Sequence, residues 1–207
     1  VRSQKIGPEL TAIRHALSIA EASVEKVIKN VSSATTELEF AADVEREARR
    51  LRAESVIVRC SSDGKGSIWL SPPSAATIGS NLIFEVSVQY SGYWGQVAGT
   101  YFSDEPTDIV LRWTDWLKQQ ISVLAHNLNA DVKVHQLWES FKRAEDAVPT
   151  EINLYGSLST GLWIESMKRS WFFNFAECET DFAIPEGSVI CLLYTSPSPR
   201  DLSTSRM

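Results

Sequence analysis

The segment Gly79–Phe102, GSNLIFEVSVQYSGYWGQVAGTYF, decides the fold of this chain. Two runs with strand character, Asn81–Tyr90 and Tyr93–Phe102, flank Ser91 and Gly92, the spacing of a β-hairpin closed by a short turn. Side chains alternate across a strand, so Phe84, Val86, Val88 and Tyr90 share one face while Glu85, Ser87 and Gln89 share the other. A half-buried strand of this kind aims a carboxylate at its polar side.

Upstream, apolar residues recur at Leu10, Ile13, Leu17, Ala20, Val24 and Val27, which predicts a one-sided helix from Pro8 to about Asn30. Proline suits the first turn, where its missing N–H costs nothing. Thr36 and Glu39 stand at capping-box spacing and open a second helix, Thr36 to Arg52. Its Arg46, Arg49, Arg50 and Arg52 alternate with Glu45, Glu47 and Glu54, the pattern of a solvated, ion-paired face. Ser55–Cys60 reads as a strand, and the following SSDGKG lacks the spacing of a phosphate-binding loop.

Downstream of the hairpin, Pro106 to about Asn129 has helical period, with Trp113, Trp116, Leu117, Ile121 and Leu124 forming a buried stripe. A further helix is expected over Val134–Asp146, then strands at Glu151–Tyr155, Leu162–Glu165 and Trp171–Phe175, with a turn at Pro185–Gly187. Helices, strands, helices and strands again give an α+β chain.

With 207 residues and 43% apolar content the chain can bury the core of one domain or a large part of one. No apolar run is long enough to cross a bilayer, so no membrane partner is expected. A net charge of -6 argues against a nucleic-acid surface, which needs clustered Lys and Arg. Cys60, Cys178 and Cys191 form neither a disulfide framework nor a zinc knuckle, in keeping with a cytoplasmic location. His15, His126 and His135 fit no metal or nucleophile motif and read as structural or surface residues.

Val1 in place of Met puts the first residue inside a longer reading frame or after processing. Residues 191–207, CLLYTSPSPRDLSTSRM, resemble the translation of a sequencing-library adapter. Residues 1–190 are therefore taken as the natural domain, truncated at its C-terminal end, and 191–207 as a non-native tail.

Several blocks, in order, resemble the creatinase and aminopeptidase P family of "pita-bread" metallopeptidases. They are RSQKIGPELTAIRHA at Arg2–Ala16, then Thr36, Glu37, Phe40 and Ala41, then the hairpin itself. GSLSTGLWIES at Gly156–Ser166 and PEGSVI at Pro185–Ile190 follow. The resemblance implies a curved, mostly antiparallel sheet covered by helices. It also implies a centre in which two Asp, a His and two Glu hold two metal ions about 3.5–4 Å apart with a bridging hydroxide.

On that frame Glu85 stands at the first Asp position, Gln96 at the second and Glu165 at the His position. The Arg of the family's Thr-Arg-Thr is Gly99, and IWLSPP at Ile68–Pro73 offers no substrate-side histidine. Glutamate carries its carboxylate about 1 Å further out than aspartate, against a tolerance of about 0.2 Å in ligand distance. A neutral amide with one oxygen cannot bridge two cations. The last two Glu positions would lie beyond Ile190.

The expectation is therefore a peptidase-like domain with no metal, no cofactor and no catalytic residue, serving as a binding or scaffold module. Its cleft, lined by Glu85, Ser87, Tyr93 and Gln96, would take an extended peptide or a small polar ligand. The family often dimerises, so a homodimer is an expected assembly. Two enzymatic alternatives stand beside it: a metal-dependent Xaa-Pro aminopeptidase or dipeptidase, and a metal-free creatinase-like hydrolase, which needs a histidine acid-base. A purely structural alternative pairs Glu85 and Gln96 with each other or with arginines across the sheet.

Overall fold

A computed structural model describes residues 5–62, 70–127, 132, 133, 136, 139 and the segments 161–166, 169–174 and 189–193. The chain divides into two compact units, Gly7–Pro106 and Thr107–Met207 with Val1–Ile6. The first unit runs α1 (Gly7–Ile28), α2 (Glu37–Arg50), β1 (Ser55–Ser62), β2 (Asn81–Tyr90) and β3 (Tyr93–Phe102). Its sheet is antiparallel in the order β1-β2-β3.

Alternation along β2 fixes which face the helices cover. Leu82, Phe84, Val86 and Val88 are buried, opposite Ser62, Cys60, Val58 and Val56 of β1. Ile19, Ala20 and Val27 of α1 and Phe40, Val44 and Ala48 of α2 close the core over them. Phe40 and Phe84 meet at a ring separation of 5.5 Å. Each large apolar side chain buried here contributes about 1.5–3 kcal/mol.

The buried stripe of α1 is Ala16, Ile19, Ala20, Ser23 and Val27, whereas Leu10, Ile13 and Leu17 are only half-buried. Periodicity marked Ala20 and Val27 of this stripe, but the contact with β3 falls at Ala16, a small residue it left out. The reason is distance: α1 passes so near β3 that Gly95 faces the backbone of Ala16 and Leu17.

Helix α2 starts as its sequence predicts. The Thr36 side chain accepts from the Glu39 N–H at 3.2 Å, and the Glu39 carboxylate accepts from the Thr36 N–H at 2.8 Å. The two remaining early donors, Glu37 N–H and Leu38 N–H, go to the carbonyls of Ala76 and Ser74. The Glu37 side chain is fully buried and accepts from the Ser74 N–H at 2.9 Å and the Ser74 hydroxyl at 2.7 Å. The segment leading into β2 is thus strapped across the start of α2.

The ion-paired face of α2 is present: Asp43–Arg46 at 2.9 Å, Glu45–Arg49 at 3.4 Å and Glu47–Arg50 at 3.5 Å. Lys26 reaches Glu47 at 2.6 Å and ties α1 to α2.

In the second unit α3 spans Asp108–Asn127. β4 (Gly161–Ser166), β5 (Arg169–Asn174) and β6 (Ile190–Leu193) form an antiparallel sheet in the order β5-β4-β6. β6 takes in the first three residues of the stretch 191–207. The helix expected over Val134–Asp146 with His135, the strand at Glu151–Tyr155 and the turn at Pro185–Gly187 lie outside the described residues, Gln136 and Glu139 aside.

Candidate functional site

The hairpin is built at its tip. Ser91 and Gly92 both have positive φ, 50° and 78°, the requirement of a two-residue turn whose twist matches the strands. Tyr90 then pairs with Tyr93, and the register runs without a bulge to Asn81 opposite Phe102. Serine carries a side chain into a backbone region that glycine enters freely. Glu54, just before β1, supports the turn: its carboxylate accepts from the N–H groups of Ser91 at 3.0 Å and Gly92 at 2.8 Å.

The Glu54 N–H donates to Gln89 O at 2.8 Å, and the Arg49 guanidinium donates to Glu54 O at 2.6 Å. Sequence reasoning placed Glu54 on the ion-paired face of α2. The signal that could have found its role is position: a carboxylate preceding an edge strand, level with the turn of the next hairpin.

This register decides which expected site residues meet. Ser87 stands opposite Gln96, and Glu85 stands opposite Arg59 of β1 and Ala98 of β3. Glu85, Ser87 and Gln96 therefore share the face of the sheet away from α1 and α2. Glu85 and Gln96 are diagonal neighbours, about 7–8 Å apart at their Cα atoms.

Tyr93 is a correction. Its odd position on β3 puts it on the helix-covered face with Gly95 and Val97, and its hydroxyl donates to Glu9 Oε1 of α1 at 2.8 Å. It does not line a cleft with Glu85, Ser87 and Gln96, because a strand shows opposite faces at odd and even positions. Glu165 lies in β4, opposite Ser170, in the second unit. His15 is exposed and meets the Tyr90 ring edge-on at 4.3 Å, a surface contact.

Burial pushes the Glu85 carboxyl above its ordinary range, and the positive charge of Arg59 opposes that rise. Desolvation wins because the carboxylate is half-buried while Arg59 is exposed. The sign for stability follows. The native state holds the Glu85 proton more tightly than the unfolded chain, so stability falls as pH rises from about 4.3 through the raised native value. Glu85→Gln is therefore expected to raise the melting temperature at pH 7 and to leave it nearly unchanged at pH 4. Thermal unfolding at both pH values checks this, each kcal/mol relieved being worth about 2–4 °C.

The donor set of this face does not fit a two-metal centre. It offers one carboxyl biased toward its neutral form, one amide, one hydroxyl and, in register with the carboxyl, a guanidinium that repels cations. Among the described residues no three His, Cys, Asp or Glu side chains come together where they could hold a metal ion. No helix among the described residues is long and apolar enough to cross a membrane.

The fold has solved counterparts. An X-Pro aminopeptidase from Thermotoga maritima superposes with a TM-score of 0.73 at 18% identity, over 90% of this chain and 53% of that one. A prolidase from Pyrococcus furiosus gives 0.77 at 16% identity, over 91% of this chain and 56% of that one. Zinc-substituted aminopeptidase P from Escherichia coli gives 0.60 at 14% identity, over 69% and 34%.

The chain thus spans about half the length of the first two structures. No curated protein sequence matches it. At these identities the likeness establishes the pita-bread fold: helices on an open antiparallel sheet. The sequence pattern of metallopeptidase family M24 runs through residues 11–165, from the first helix past the hairpin to Glu165, and the chain belongs to that family.

Proposed function

We propose that this M24 domain is a binding or scaffold module that works without metal and without hydrolysis. It holds an extended peptide or small polar ligand on the outer face of the hairpin. One observation carries this: Arg59 stands in register with Glu85, while Gln96 faces Ser87 across the same face. Where the resembled enzymes set two aspartates against cations, this chain sets a carboxyl against its own cation and an amide against a hydroxyl. Such groups suit hydrogen bonds to a peptide backbone, with Gln96 able to donate and accept at once. The odd, motif-free cysteine set is in keeping with a cytoplasmic location, and the frequent dimerisation of the family supports a homodimer.

One of the solved structures is named an X-Pro aminopeptidase, which makes proline-containing peptides the ligands to try first. Protein dialysed against manganese is expected to retain well under one metal ion per chain by elemental analysis. Incubation with Xaa-Pro peptides and manganese is expected to release no N-terminal residue. Two bound metals per chain, or turnover that a chelator abolishes, would show an active peptidase instead.

A further inference from the structure

The tip of the hairpin is held by a residue that belongs to neither of its strands. Glu54 accepts from the Ser91 N–H at 3.0 Å through one carboxylate oxygen and from the Gly92 N–H at 2.8 Å through the other. Its backbone is fixed on both sides: the N–H donates to Gln89 O at 2.8 Å, and the carbonyl accepts from the Arg49 guanidinium at 2.6 Å. Arg49 also donates to Ala53 O at 3.4 Å, so the last turn of α2 anchors the root of this carboxylate.

The two clamped amides are the ones a two-residue turn leaves outside the ladder, which closes at Tyr90 with Tyr93. The turn has a weak point. Both of its residues have positive φ, and the first is serine, where asparagine or glycine favours this backbone. The preference of Ser91 runs against the turn, and the Glu54 carboxylate offsets it. Beside the turn, alternation puts Gln89 and half-buried Trp94 opposite each other on the outer face, next to Ser87 and Gln96.

We propose that Glu54 is a positioning residue: it holds Ser91–Gly92 in a conformation that serine disfavours, and so fixes Gln89 and Trp94 at the tip end of the ligand face. The use of that face rests on the function proposed above, whereas the clamp on the turn does not. Gly95 is locked against the backbone of α1, so β3 cannot slip as a whole when the carboxylate is lost. What frays is the part of the hairpin beyond Gly95, the pairs Gln89–Trp94 and Tyr90–Tyr93. Trp94 thereby joins Ser87 and Gln96 as a residue that a bound ligand meets, its indole plane beside two amide side chains.

The test is amide exchange, followed by NMR on the full chain without ligand. In Glu54→Ala, at an exposed position, exchange at Ser91 and Gly92 is expected to quicken about tenfold, the loss of one charge-assisted hydrogen bond each. Exchange at Tyr93 is expected to quicken about fivefold as the closing pair frays, while the centre of β2 stays protected. Adding Ser91→Asn is expected to return Tyr93 to its original rate and to leave Gly92 fast, because asparagine restores the turn but not the acceptor. Binding is read separately, by titrating alanyl-prolyl-alanine and following the Trp94 indole N–H. Affinity about threefold weaker in Glu54→Ala is expected, restored in the double variant.

Unchanged exchange at Gly92 in Glu54→Ala overturns the proposal, and so does a Tyr93 amide that stays fast in the double variant. Equal affinity for the probe in all three proteins overturns the positioning role by removing Trp94 from the ligand face. A parent chain that binds no probe refutes the proposed function instead, while the exchange rates still decide the clamp.

Discussion

Gly95→Ala is expected to cost about 3 kcal/mol or more of folding stability, read as a fall in the urea midpoint with little change in slope. A β-carbon at Gly95 would lie 2.6 Å from Leu17 Cα and 2.7 Å from the carbonyl carbon of Ala16, and closer still to Leu17 N. These are backbone atoms inside α1, so no side chain can swing away to make room. Relief requires the whole helix to lift off β3, which opens contacts from Ala16 to Val27. Gly99→Ala is the control. Its β-carbon would lie 2.8 Å from Phe84 Cζ, the far end of a side chain, and a small ring shift suffices. The control is expected to cost less than about 1.5 kcal/mol. Equal losses in the two variants would mean that α1 does not press on β3 as described.

Glu37→Ala is expected to destabilise by about 3 kcal/mol. The substitution strips the acceptor from both the N–H and the hydroxyl of Ser74 and leaves a hole at a fully buried position. The segment from Ser74 to Gly79 then keeps its backbone bonds to Thr35, Glu37 and Leu38 but loses its side-chain anchor. Glu37→Gln retains a carbonyl oxygen in nearly the same place and is expected to recover roughly half of the loss. Amide hydrogen exchange should show faster exchange at Ser74 and Ile78 in Glu37→Ala while the centre of β2 stays protected. A melting temperature unchanged in Glu37→Ala would remove this carboxylate from the account of the fold.

Much of the architecture was legible before any coordinates. Alternation of apolar and polar residues marked β2 and β3, with the turn at Ser91–Gly92, and the capping box announced α2. These signals are local, each set by a few neighbouring residues. What escaped was tertiary. The buried stripe of α1 includes small residues, Ala16 and Ser23, that periodicity undervalues, and Ala16 sits where Gly95 meets the helix. Glu54 looked like part of an ion-paired surface and the role of Glu37 went unmarked, because nothing near them in sequence reveals the turn amides or Ser74 that they accept from.

The candidate site was half legible. Alternation along β2 placed Glu85 and Ser87 on one face, the family resemblance added Gln96, and the observed register sets Gln96 opposite Ser87. Tyr93 was grouped with them by proximity in sequence, although one residue of offset sends it to Glu9 on the other face. An arginine across the sheet from Glu85 was among the expectations; that it is Arg59 follows from the pairing of β1 with β2, in which Cys60 meets Phe84.

The ring of Phe84 bears on what the arginine of the resembled Thr-Arg-Thr block would meet in this chain. It lies over Gly99, where the resembled enzymes carry arginine, and its other side meets Phe40 in the core. Restoring that arginine would collide with a side chain that now fills the space, and trimming Phe84 to admit it would hollow the core beneath α2. Neither step is tolerable before the other. The position that differs from the resembled block is thus held from the buried side of the sheet, not from the polar face that carries Glu85 and Gln96.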